Sequence, residues 1–172
     1  MFADQESAGE LIAKIADFGY SATAASVKRG KEIGGTLPFE PPECTASVAA
    51  DMKKYANKPT KDNYGFGLVV WQVAMDGETP YYGMNMDEIE KTKNSDPKLT
   101  RLIGLLPADT PEYFKTVIRS MTRYNPPERA SLATVRQTMG LDDDTRYYLS
   151  CQRLLLWRIL ALMPEIQICD RA

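Results

Sequence analysis

Histidine is absent from all 172 residues, which removes imidazole acid–base catalysis, Cys/His or Ser/His nucleophilic machinery and the usual zinc sites together. Cysteine is scarce as well. Cys44, Cys151 and Cys169 are scattered, with neither metal spacing nor an even disulfide framework, the pattern of a reducing intracellular compartment, cytoplasm or nucleus. Nor does charge of one sign accumulate: 21 Lys+Arg against 23 Asp+Glu leave a formal net charge of −2, so nothing steers the chain toward nucleic acid or an anionic membrane. Proteins or small molecules are the expected partners. The apolar run Leu154–Met163 contains Arg158 and is too short to span a bilayer. Met1–Glu10 is mixed and acidic rather than a basic-then-apolar leader, so no secretory signal is expected. No internal repeat is visible, and at 44% hydrophobic residues one domain around one core is the default.

Leu11–Ala16 carries branched apolar residues around Lys14 and reads as a short strand entering Asp17-Phe18-Gly19. From Tyr20 to Gly35 small and polar residues dominate, predicting a long surface loop. Pro38, Pro41 and Pro42 then impose a stiff, extended path. After a modest helical stretch near Cys44–Tyr55, Asp62 stands as an N-cap ahead of Tyr64, Phe66, Leu68, Val69, Val70, Trp71, Val73 and Met75, apolar on every face and so predicted to be central. Asn85 with Glu88 has the form of a capping box. Thr110-Pro111 opens a helix whose Phe114, Val117, Ile118 and Met121 follow the three-four spacing. Ser131 opens another with Leu132, Val135 and Met139, stopped by Gly140, and a last helix is expected from Asp142–Asp144 to Pro164.

The chemistry starts at Asp17-Phe18-Gly19. A carboxylate after a strand can bind magnesium on nucleotide phosphates, the ring can pack as a hinge, and glycine permits the turn. Taken singly the triplet reads first as an ordinary strand-ending turn. Its successors give it context: AKIADFGYSA, GTLPFEPPE, DNYGFGLVVWQVAMDGETPYYG and NPPERAS together, and in this order, resemble the back half of a eukaryotic-type protein kinase domain. The resemblance covers roughly Leu11 to Gly140.

In that resemblance Gly35 to Glu43 takes the place of the Gly-Thr…Ala-Pro-Glu segment that ends the activation loop and shapes the substrate-docking surface, with Pro41 where alanine is usual. Asp62, Gly67 and Trp71 match the central helix, whose aspartate anchors the catalytic loop. Asn125 to Ser131 resembles the Asp-Pro-x-x-Arg-Pro-Ser/Thr segment, so Arg129 is expected to pair with Glu43 in a buried bidentate ion pair. Asp17, Phe18 and Gly19 would serve the nucleotide, and Asp17 the magnesium. Ser21, Thr23, Ser26 and Thr36, near Lys28, Arg29 and Lys31, lie where the family is switched by phosphorylation, although hydroxyls there also simply solvate a loop.

The implied fold is mainly α with a small β-hairpin: a kinase-like C-terminal lobe of an α+β family fold, without the N-terminal lobe. The expected domains are a partial kinase domain over 1–140 and a helical tail over 141–172. The implied activity is transfer of the ATP γ-phosphoryl group to protein Ser/Thr, with Tyr the lesser alternative, using ATP and magnesium. The departures bear on catalysis. These 172 residues hold no glycine-rich loop, no phosphate-clamp lysine and no catalytic-loop aspartate, which the resemblance would put upstream of Met1. Asp4 falls near the metal-binding asparagine by counting alone, but with an extended hairpin it reads instead as a turn residue. The isolated chain is therefore expected to be inactive; the alternative is a pseudokinase-like module that binds a protein partner.

Overall fold

A computed structural model of the chain describes residues 2–5, 11–14, 21–29 and 34–138. Asp17-Phe18-Gly19, the expected domain boundary at 140 and the expected last helix lie outside them. The described residues fall into two compact units, one taken from before Gly35 and after Ser131, the other running Gly35–Ser131.

In the first unit, β1 (Phe2–Gln5) pairs antiparallel with β2 (Leu11–Lys14), Phe2 opposite Lys14 and Gln5 opposite Leu11. The stretch expected to be loop contains a helix, α1 (Ala24–Lys28). Its cause is local. The Thr23 hydroxyl accepts the Ser26 N–H at 3.2 Å and the Ser26 hydroxyl donates to the Thr23 carbonyl at 2.8 Å, closing a first turn around Ala24 and Ala25, which favour helix. The other described helix of this unit is α7 (Leu132–Thr138), directly after Ser131.

The second unit is built on α3 (Thr60–Ala74), which buries Tyr64, Phe66, Leu68, Val70 and Trp71. Each large apolar side chain so buried is worth about 1.5–3 kcal/mol relative to exposure. Val69 and Val73 are half-buried, so one stripe of the helix is less covered than the all-round apolar pattern suggests. The N-cap also differs from expectation: Pro59 takes that place and Asp62 lies inside the first turn, exposed. Proline at a helix start has its φ already set, so the helix begins before the aspartate.

Across from α3 packs α6 (Glu112–Met121), burying Phe114, Val117, Ile118 and Met121, the residues singled out by spacing. Gly67 makes this approach possible: a Cβ there would lie 2.6 Å from Cγ2 of Thr122 and 3.1 Å from Cβ of Met121. The Trp71 indole N–H donates to the carbonyl of Leu102 at 2.7 Å, tying α3 to α5 (Thr100–Gly104). That helix has no obvious cap in the sequence. Leu99 before it is left-handed at φ 50, while the Asp96 carboxylate accepts the N–H groups of Thr100 and Arg101, each at 2.9 Å. Burial pushes the Asp96 carboxyl up, but those N–H groups outweigh it and hold it below the usual range.

In chain order between α3 and α5, α4 (Met86–Ser95) starts with a complete capping box. The Asn85 side chain accepts the Glu88 N–H at 3.0 Å and the Glu88 carboxylate accepts the Asn85 N–H at 2.9 Å. Helix near Cys44–Tyr55 shrinks to the single turn α2 (Ala50–Lys53).

Candidate functional site

The proline-rich segment Gly35–Thr45 runs through two 3-10 turns, Leu37–Phe39 and Pro42–Cys44. The Thr36 carbonyl accepts the N–H groups of Phe39 and Glu40, and the Pro42 carbonyl accepts both the N–H and the hydroxyl of Thr45. Pro38, Pro41 and Pro42 have no N–H to give. The segment must therefore find donors elsewhere.

One set comes from Arg129. Its two terminal nitrogens donate to the two oxygens of Glu43 at 2.6 and 2.7 Å, and both side chains are fully buried. The remaining N–H groups reach the carbonyls of Thr60 at 2.9 Å, Arg123 at 2.8 Å and Tyr124 at 3.3 Å, so every donor of the guanidinium fork is used. The ring of Tyr64 lies 5.0 Å beneath the guanidinium. A buried charge needs such complete pairing, since desolvation otherwise costs several kcal/mol per ion.

A second buried cation serves the other end. Lys93, on α4, is 1% exposed, and its ammonium donates to the carbonyls of Leu37 and Glu40. It stands 5.4 Å from the ring centroid of Tyr81, which is itself buried. Burial draws the Lys93 pKa down to about 8, against the opposing pull of Glu40, Cys44, Glu90 and Glu43. The Glu40 carboxylate meets Lys61 at 3.0 Å. Burial pushes the Cys44 thiol up to about 11, which makes it a poor nucleophile.

Of the residues singled out by sequence, Glu43 and Arg129 are thus brought together. Asp62 is exposed in the first turn of α3, and Thr36 is exposed at the head of the proline-rich segment. Ser21 is exposed; Thr23 and Ser26 bond to each other across the first turn of α1. Asp17, Phe18 and Gly19 lie outside the described residues. Among the described residues no three Cys, Asp or Glu side chains gather as a metal site, and no helix is long and apolar enough to cross a membrane. Lys93 was not singled out. Its signal was register: it follows the buried Ile89 by one helical turn.

The model of the family described as protein tyrosine and serine/threonine kinase matches residues 7–139. The chain belongs to the protein kinase family. The chain is 28% identical over 138 residues to Aurora kinase C of Mus musculus, covering 80% of this chain and 45% of the relative. It is 26% identical over 126 residues to the tyrosine-protein kinase transforming protein Abl of Abelson murine leukemia virus, covering 73% and 16%. Serine/threonine-protein kinase ATG1 of Debaryomyces hansenii is 29% identical over 120 residues, covering 70% and 13%. The chain spans less than half the length of each of these kinases. No solved structure matches. As a member of this family the chain is kinase-like and mostly helical, and its family's reaction is protein phosphorylation with ATP and magnesium.

Proposed function

We propose that this chain is the substrate-docking, C-terminal-lobe side of a protein kinase domain, and that Met1–Ala172 alone does not transfer phosphoryl groups. In this reading residues 1–140 are the partial kinase domain, with β1 and β2 its small hairpin, and 141–172 are a helical tail. The observation that carries it is the fully buried fork between Glu43 and Arg129. It fixes the end of a segment whose head, around Thr36, stays exposed, as a surface that receives an extended peptide must.

Asp17, with Phe18 and Gly19, is the part assigned to the nucleotide end. Where bound, magnesium and ATP supply the transferable phosphoryl group and neutralise its charge. One carboxylate holds such an ion weakly, and these 172 residues contain neither a glycine-rich loop nor a phosphate-clamp lysine. Positioning and electrostatics make up nearly all of this catalysis, so their absence from the isolated chain leaves docking without turnover.

Ser21, Thr23, Ser26 and Thr36 are assigned to regulation by phosphorylation. A phosphate on Thr23 would replace the hydroxyl that caps α1. Asp62 is assigned to anchoring the catalytic loop. The partner is a protein, the compartment intracellular, and the acceptor Ser/Thr rather than Tyr.

The test is fluorescence anisotropy with the full chain and equimolar pools of labelled degenerate peptides centred on Ser, Thr or Tyr. Saturable binding of the Ser and Thr pools, weakened in Glu43→Gln, is expected. Absence of binding by any pool would sink the docking assignment, and preference for the Tyr pool would reverse the acceptor.

A further inference from the structure

We infer that Lys93 is a positioning residue for peptide docking: from the inner face of α4 its ammonium fixes the backbone of Leu37–Glu40, while Arg129 fixes Glu43 at the other end. The inference rests on the docking assignment above and adds a residue that sets the shape of the docking surface.

Three features of the site carry it. The first is demand. Three prolines strip donors from the segment, and the Glu40 carbonyl points inward to the ammonium of Lys93. The second is the nature of the side chain. The inward positions of α4 are Ile89 and Lys93, and another apolar residue at 93 would satisfy the core. A buried ammonium instead costs desolvation free energy unless it is hydrogen-bonded. Lys93 is bonded to backbone, and the carboxylate of Glu40 is taken by Lys61. Its attraction is therefore spent on the path of the main chain rather than on an ion pair.

The third feature is symmetry of role. Each cation lies against a buried tyrosine ring, Arg129 at 5.0 Å from Tyr64 and Lys93 at 5.4 Å from Tyr81, which adds a favourable face to an otherwise dry site. The stretch between the two anchors is too short and too proline-rich to rearrange on its own. Holding the carbonyls of Leu37 and Glu40 on one side and Glu43 on the other fixes the half-buried stretch Leu37–Phe39, and hence which side chain next to the acceptor the surface admits.

Hydrogen–deuterium exchange on the full chain tests this in wild type, Lys93→Met and Lys93→Arg, alongside the Ser-centred peptide pool. Methionine keeps the length of the stem and removes the charge. Amides of Phe39 and Glu40, bonded to the Thr36 carbonyl, are expected to exchange about tenfold faster in Lys93→Met, with α6 unchanged. Lys93→Arg is expected to recover most of that protection, and the residues selected from the pool to shift in Lys93→Met. A general loss of stability would instead speed α6 as well. Unchanged exchange at Phe39 and Glu40 in a chain that still binds the pool would overturn the inference alone. No binding by the wild type would overturn the docking assignment and this inference with it. Should Lys93→Met not fold, the wild type still decides: the Lys93 ammonium is expected to give a slowly exchanging 15N–1H signal, and rapid solvent exchange like that of surface lysines would overturn the inference.

Discussion

Glu43 and Arg129 stand 86 positions apart in sequence and meet through two parallel hydrogen bonds of 2.6 and 2.7 Å with both side chains out of solvent. The pair joins the proline-rich segment to the 3-10 turn Pro126–Glu128, beneath which Tyr64 of α3 packs on the guanidinium.

Breaking that pair from one side leaves an uncompensated buried charge. Arg129→Met is expected to lower the urea unfolding free energy of the full chain by about 3–5 kcal/mol, and Glu43→Gln, which keeps a hydrogen-bonding partner, by less. Changes within about 0.5 kcal/mol for both would mean the pair is not holding the segment.

Gly67 is the close-approach point of α3 and α6. Gly67→Ala gains helix propensity but drives its methyl into Thr122 and Met121, so a net loss of roughly 1–3 kcal/mol is expected. An equal or higher melting temperature would show that α6 can step back freely.

Trp71→Phe keeps an aromatic ring and removes the donor to the Leu102 carbonyl. The Leu102 carbonyl then keeps only the longer bond from the Leu105 N–H at 3.3 Å, a loss of about 0.5–1.5 kcal/mol, and faster exchange at α5 amides should accompany it. Wild-type stability in this variant would mean that the Leu105 N–H or a water makes up for the indole.

The pH dependence follows from Lys93. Its folded pKa of about 8 lies below that of an unfolded lysine, so between those values the unfolded chain binds more protons than the folded one and stability rises with pH. Cys44, raised to about 11, and Tyr81, raised to about 12, act oppositely once pH exceeds the unfolded cysteine and tyrosine values. The urea unfolding free energy at fixed ionic strength should therefore climb from pH 8 to pH 9 by roughly 0.5 kcal/mol, the Lys93 gain less the onset of the Cys44 loss, and then level or fall. Lys93→Met should abolish the climb; a wild-type curve that falls through this interval would contradict the assigned burial of the ammonium.

Much of this was legible because proline, glycine and aspartate act locally. Asn85 with Glu88 announced a capping box, and Phe114, Val117, Ile118 and Met121 announced the buried face of α6. The order of short motifs brought Glu43 and Arg129 forward as a pair. What stayed hidden depended on tertiary context. Lys93 sits in the polar run Glu90–Ser95 and is buried only because α4 lies against the proline-rich segment. Helix α5 relies on a carboxylate four residues upstream and on a left-handed Leu99, neither of which follows a capping pattern. Asp62 looked like a cap because aspartate favours that place, but Pro59 starts the helix first.

The central claim is that Met1–Ala172 docks peptide without transferring phosphate, and radiolabel transfer from magnesium-ATP to a generic protein substrate tests it most directly. Wild type and Asp17→Asn are expected to give the same counts as a protein-free blank. Incorporation by the wild type above that of Asp17→Asn would contradict the account, since it would require a working phosphoryl-transfer site within these residues.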